Sequence, residues 1–102
     1  MATSKSKRLA PIHPGEVLIE LLTETGLTVN RLALALRVPA NRIGGIAKGQ
    51  RGITGDTALR LARYFGTSAQ MWMNLQAKYD LAVAEDAASG RIDKEVLPRS
   101  AA

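Results

Sequence analysis

The chain contains no cysteine, which excludes disulfides, cysteine-ligated zinc and thiol nucleophiles together. Its single histidine, His13, has no clustered carboxylates around it in sequence, so no metal site is expected and the residue is read as structural. Apolar runs are only a few residues long. None reaches the length of a membrane span, and the basic start (Lys5, Lys7, Arg8) lacks the apolar stretch that a signal peptide needs. A cytoplasmic location and no membrane partner are therefore expected. Internal repeats are missing. The glycines at 44, 45, 49 and 52 match neither a P-loop nor a dinucleotide fingerprint, because no Gly-Lys-Ser/Thr follows them and no strand pattern precedes them. Without a nucleophile–base set or a metal cluster, neither an enzyme nor a cofactor is expected.

One stretch lacks acid altogether. Residues 31–53 carry five bases (Arg31, Arg37, Arg42, Lys48, Arg51) and no Asp or Glu, whereas residues 14–30 carry Glu16, Glu20 and Glu24 and no Lys or Arg. The net charge of +5 is thus gathered in the middle of the chain. Such a stretch suits phosphate contact, and equally a solvated basic surface. At 102 residues and 46% hydrophobic, the chain suffices for one domain with a real core.

Periodicity divides the chain into helices. A flexible basic arm is expected over 1–12, a helical domain over 13–84 and a loose tail over 85–102. Pro14 suits a first helical position, Glu16 lies near the positive end of that helix, and Val17, Leu18, Leu21 and Leu22 define its buried face up to a stop at Gly26. Thr28 is the expected N-cap of a second helix over about 29–36, with Leu32, Ala33 and Leu36 inward. Pro39 breaks it. A third helix over about 40–47 turns Ile43 and Ile46 inward. Thr54 caps a fourth over 55–65 with Ala58, Leu61, Ala62 and Phe65 on its inner stripe. Ser68 starts a fifth reaching about Ala84, with a short extended piece around Ile92–Leu97 beyond. No alternating strand pattern occurs, so the fold is expected to be all-α.

Helices two and three, short and joined by a tight turn inside the basic stretch, have the arrangement of a helix-turn-helix unit. Counting from Val29, the residues Leu32, Ala33, Leu36, Val38, Ile43 and Ile46 fall where two such helices must touch, and small Ala33 permits the close crossing. An ordinary helical hairpin with an apolar interior satisfies the same pattern. The turn places Arg37 where glycine is customary for a left-handed conformation, at a cost of about 1 kcal/mol. On the third helix, adjacent Gly44 and Gly45 leave part of the outward face without side chains. Base readout is then expected from Asn41 and Arg42, with Lys48 at the helix end, since Asn pairs with adenine and Arg with guanine edges. Asn30, Arg31, Arg51 and Thr54 suit contact with the DNA phosphates.

The run Ile12-His13-Pro14-Gly15-Glu16, then Gly49-Gln50-Arg51-Gly52-Ile53-Thr54, Asp56 to Ala62, Phe65-Gly66-Thr67-Ser68 and Trp72 to Leu81 resembles the antitoxin of HigB–HigA toxin–antitoxin modules, within the Cro/repressor-like helix-turn-helix regulators. The resemblance covers about two-thirds of the chain. It implies a five-helix Cro/lambda-repressor-like fold, homodimerisation, operator DNA binding with autorepression, and neutralisation of a RelE-like mRNA-cleaving toxin. Gly44-Gly45 departs from the polar residues usual in that family. Met71, Trp72, Leu75 and Tyr79 share one side of helix five and fit either core packing or a dimer seam, which would set two recognition helices about 34 Å apart. Glu16, Glu20 and Glu24 form either an acidic strip for a basic toxin or a solvated face. Two alternatives remain at this level: a stand-alone helix-turn-helix regulator, and a protein-binding module that has lost DNA recognition.

Overall fold

The computed structural model describes residues 10–100, so most of the expected basic arm, with Lys5, Lys7 and Arg8, lies outside the described residues. Among those residues there are six helices and no strand: α1 (Pro14–Thr25), α2 (Val29–Leu36), α3 (Ala40–Ala47), α4 (Gly55–Phe65), α5 (Ala69–Ala88) and α6 (Arg91–Glu95). None is long and apolar enough to cross a membrane.

Local chemistry sets the boundaries. At the start of α1, the His13 Nδ1 accepts from the Gly15 amide at 2.9 Å, while the Glu16 carboxylate accepts from the His13 amide at 3.3 Å. This is a capping box in which histidine takes the place of serine. It gives the lone histidine a structural role. Thr28 Oγ1 accepts from the Arg31 amide, Thr54 Oγ1 from that of Thr57 and Ser68 Oγ from that of Met71, so α2, α4 and α5 are each capped as their sequences imply. Helices α1 and α4 end at Gly26 and Gly66 in the left-handed region. Arg37, at φ 62°, also adopts it. The turn geometry of the two-helix unit therefore overrides the side-chain preference, and the Arg37 amide bonds the carbonyls of Ala33 and Leu34.

The core is one cluster. Leu18 and Leu22 from α1, Leu32, Ala33 and Leu36 from α2, Ile43 and Ile46 from α3, Ile53 from the loop, Ala58 and Leu61 from α4 and Trp72 from α5 meet in it. α2 packs on α3 and α4, α1 on α3 and α5, and α4 on α5. Burying each large aliphatic side chain supplies about 1.5–3 kcal/mol. Helix α3 is thereby held from behind by α1 and α2.

The C-terminal region departs from expectation in two ways. Helix α5 runs one turn further, to Ala88, and the segment expected to be loose or extended around Ile92–Leu97 contains α6. Left-handed Ser89 and Gly90 end α5, after which an Arg91–Glu95 pair at 3.5 Å and a Val96-to-Ile92 backbone bond close the short helix. A further correction concerns Trp72. Its ring is fully buried within the single chain, and its Nε1 donates to Thr67 Oγ1 at 2.9 Å. It therefore offers no surface to a second copy. Met71, Leu75 and Tyr79 are half-buried and keep some.

Because Trp72 sits in the common core, Trp72→Ala is expected to lower unfolding stability by about 3–5 kcal/mol, read by urea denaturation at several protein concentrations. A loss that vanishes at high protein concentration would instead place the ring in an interface.

Candidate nucleic-acid interface

Helix α3 presents little of itself. Ile43 and Ile46 are fully buried, Arg42, Gly44, Gly45 and Ala47 are half-buried, and only Ala40 and Asn41 are exposed. Pro39, its N-cap, contributes no side-chain bond to the first turn. The two glycines have different neighbours. A Cβ on Gly44 would lie in ordinary contact with Val29, at 3.8 Å, whereas one on Gly45 would come within 3.3 Å of the Arg51 side chain. Gly45 thus makes room for Arg51. The loop is fastened there as well, since the amides of Gln50 and Arg51 both donate to the Gly45 carbonyl, at 2.9 and 3.2 Å.

Downstream, Gln76 on α5 fixes the loop. Its Oε1 accepts from the Ile53 amide at 2.6 Å and its Nε2 donates to Asp80 at 2.9 Å. Arg42, Arg51 and Thr54 line one depression between α3, this loop and the start of α4, closed on the α5 side by Gln76 and Asp80. Asn41 stands exposed one residue before Arg42. Lys48 is exposed at the C-terminal end of α3, and Arg31 on the first turn of α2. Asn30 lies apart from the Arg42–Arg51 depression, on a shallow groove with Leu34, Val38 and Ala40.

Arg42 is not a free cation. Its Nη1 donates to Asp56 Oδ2 at 2.8 Å, and the same oxygen accepts from Arg60 Nε at 2.8 Å. Arg60 Nη1 continues to the Leu36 carbonyl at the end of α2, at 2.9 Å. Asp56 therefore joins α4 to α3 directly and, through Arg60, to α2. Hydrogen bonds first from Arg60 and then from Arg42 hold its carboxyl below the ordinary aspartate value of 3.8.

Residues 18–72 match the family model described as helix-turn-helix. Over 75 residues the chain is 57% identical to virulence-associated protein I of Dichelobacter nodosus, covering 72% of this chain and 69% of that one. The antitoxin HigA of Pseudomonas aeruginosa, solved with the higBA promoter, superposes with a TM-score of 0.84 at 49% identity, covering 88% of this chain and 99% of that one. An addiction-module antidote protein of the HigA family from Coxiella burnetii gives 0.84 at 47% identity, over 89% and 100% of the two chains. The chain belongs to the helix-turn-helix family, in its HigA type. Some curated helix-turn-helix regulators are spanned over only 64% of their length. For this HigA-type chain, the all-α, Cro/repressor-like architecture expected from the sequence is the observed one. The additional sixth helix is short and follows the five-helix body.

Sequence reasoning did not find Asp56, Arg60 or Gln76. The Asp56–Arg60 spacing of four is a helical ion-pair signal, but nothing in a linear pattern shows that Arg42, fourteen positions away, completes the group. Gln76 hides on the flank of an otherwise structural helix.

The lowered Asp56 pKa fixes a sign. In the unfolded chain the carboxyl gains its proton near 3.8, in the folded chain only below that, so its contribution to stability is fully present above about pH 4 and is lost as pH falls through the folded value. Thermal melts of the parent and of Asp56→Asn should accordingly differ at pH 7 and converge at the acid end. A gap that stays constant down to pH 2 would show that the carboxylate charge is not what stabilises the group.

Proposed function

We propose that this HigA-type protein is an antitoxin that binds its own operator as a homodimer, represses its operon and neutralises a RelE-like toxin. The observation that carries the DNA-binding part is the α2–α3 unit. Its own sequence carries no Asp or Glu, and it combines exposed Asn41 with a depression that Arg42, Arg51 and Thr54 share with Asp80 of α5, in a chain 49% identical to a HigA solved on promoter DNA. In this reading α3 enters the major groove by its first turn. Asn41 reads adenine, Arg42 guanine, and Lys48 reaches an adjoining base. Asn30, Arg31, Arg51 and Thr54 fix the register on the phosphates. Half-buried Gly44 leaves the backbone bare where a base-pair edge or a thymine methyl can approach, while Gly45 makes room for Arg51.

Pairing of two copies is assigned to the C-terminal side, with Met71, Leu75 and Tyr79 as its inner edge. Exposed Leu81, Val83, Ile92 and Leu97 supply apolar surface that the single chain does not bury. For the toxin, Glu20 and Glu24 are the available acids on α1, because the Glu16 carboxylate is engaged in the capping box.

Mobility shifts across a salt series, with the chain's own upstream DNA beside a scrambled duplex, test this directly. The upstream duplex should bind tighter by about a thousandfold or more. Arg51→Ala should weaken both complexes alike and reduce the slope of log affinity against log salt by about 0.9. Equal weak binding to both duplexes would overturn operator recognition and leave protein binding as the function.

A further inference from the structure

Among the described residues, Asp56 is the acid bonded to Arg42 on the proposed base-reading surface, and it is not the side chain that caps α4. Thr54 already caps α4. The carboxylate instead reaches across to α3 and takes one N–H of Arg42. Arg60 meanwhile holds the same oxygen from its own helix and is itself anchored on the Leu36 carbonyl. The acceptor is therefore fixed on two sides and does not follow Arg42 if that side chain swings away. The Arg42 side chain is 31% exposed, so its guanidinium is reachable from outside while paired.

Two physical consequences follow. A cation already paired at 2.8 Å has less to gain from a loosely placed DNA phosphate, because it must either give up Asp56 or bring a second anion beside it. A single bond through Nη1 uses one of the five N–H donors of the guanidinium. The edge formed by Nε and Nη2 stays open, and that edge can still meet guanine O6 and N7 together. Phosphate attraction is thus discounted, and base recognition is not.

Resting on the DNA-binding reading above, we propose that Asp56 is a specificity-determining positioning residue: it screens Arg42 from non-specific phosphates and orients its free edge toward a guanine. It touches no DNA itself and acts through Arg42.

Asp56→Asn, Arg42→Ala and the double variant, each with its thermal melt, are to be measured against the upstream and the scrambled duplex over a salt series. Asp56→Asn should bind the scrambled duplex about five- to tenfold more tightly near 0.1 M salt, with a slope steeper by about 0.9, as one released cation gains a phosphate. Affinity for the upstream duplex should not rise in step, so the ratio between the two duplexes falls. In the Arg42→Ala background the same substitution should no longer change the ratio or the slope, and Asp56→Glu should restore part of the parent ratio. An unchanged ratio in a folded Asp56→Asn protein overturns the proposal. So does an equal effect with and without Arg42, which would reduce Asp56 to a distant negative charge. Failure of the parent to distinguish the duplexes overturns the DNA reading and this proposal together, whereas a discriminating parent with an indifferent Asp56→Asn overturns only the latter.

Discussion

At the start of α1 the backbone of Gly15 lies directly against the carbonyl of Ile46, near the end of α3, and any Cβ there would occupy the space of that oxygen. The rest of the molecule depends on this approach. It is held from one side by the capping box of His13 and Glu16, which fixes the angle at which the chain enters α1. The His13 ring also meets Tyr79 of α5 edge to face, with centroids 4.7 Å apart. On the other side left-handed Gly49 passes close to the same ring. The short motif from His13 to Glu16 therefore sets α1, α5 and the exit of α3 in relation to one another. An eight-residue helix with two glycines has little stability of its own, so its placement has to come from these neighbours.

The same logic explains how a surface of small side chains is kept in order. Ile43 and Ile46 anchor α3 inward, the Gly45 carbonyl binds the following loop, and Gln76 ties that loop to α5. No side-chain nitrogen or oxygen buried among the described residues lacks a partner. The groups left outward, Asn41, Lys48 and Arg51, are presented by a helix and a loop that these bonds tie to the core. Arg42 is the exception, in that its geometry is set by charge. The Asp56–Arg60 pair gives it a fixed acceptor drawn from another helix.

Much of this was legible in the linear sequence, for a definite reason. Helix caps are local, so Thr28, Thr54, Ser68 and the glycines at 26 and 66 marked boundaries that the structure reproduces closely. The apolar residues counted from Val29 identified the seam of the two-helix unit, because its spacing is fixed by helical geometry. What escaped was non-local. The side of α5 carrying Trp72 fitted both a core and an interface on periodicity alone, and only the packing of α4 and α5 shows that the ring is interior. The carboxylate beside Arg42 comes from a separate helix, and Gln76 bonds a backbone amide 23 residues away. The tail was misread because a pair of left-handed residues, Ser89 and Gly90, restarts a helix where sparse hydrophobicity suggested extension.

In the DNA-binding reading, α3 and the loop after it form the surface that meets DNA. That placement is tested most directly by titrating the isotopically labelled protein with its upstream duplex and following the backbone amide resonances. The largest shifts should fall on Asn41, Arg42, Gly44, Gly45, Lys48 and Arg51, with smaller ones at Asn30 and Arg31, and should be stronger than with a scrambled duplex. Shifts confined to α1 or to the C-terminal part of α5, with α3 unmoved, would contradict it.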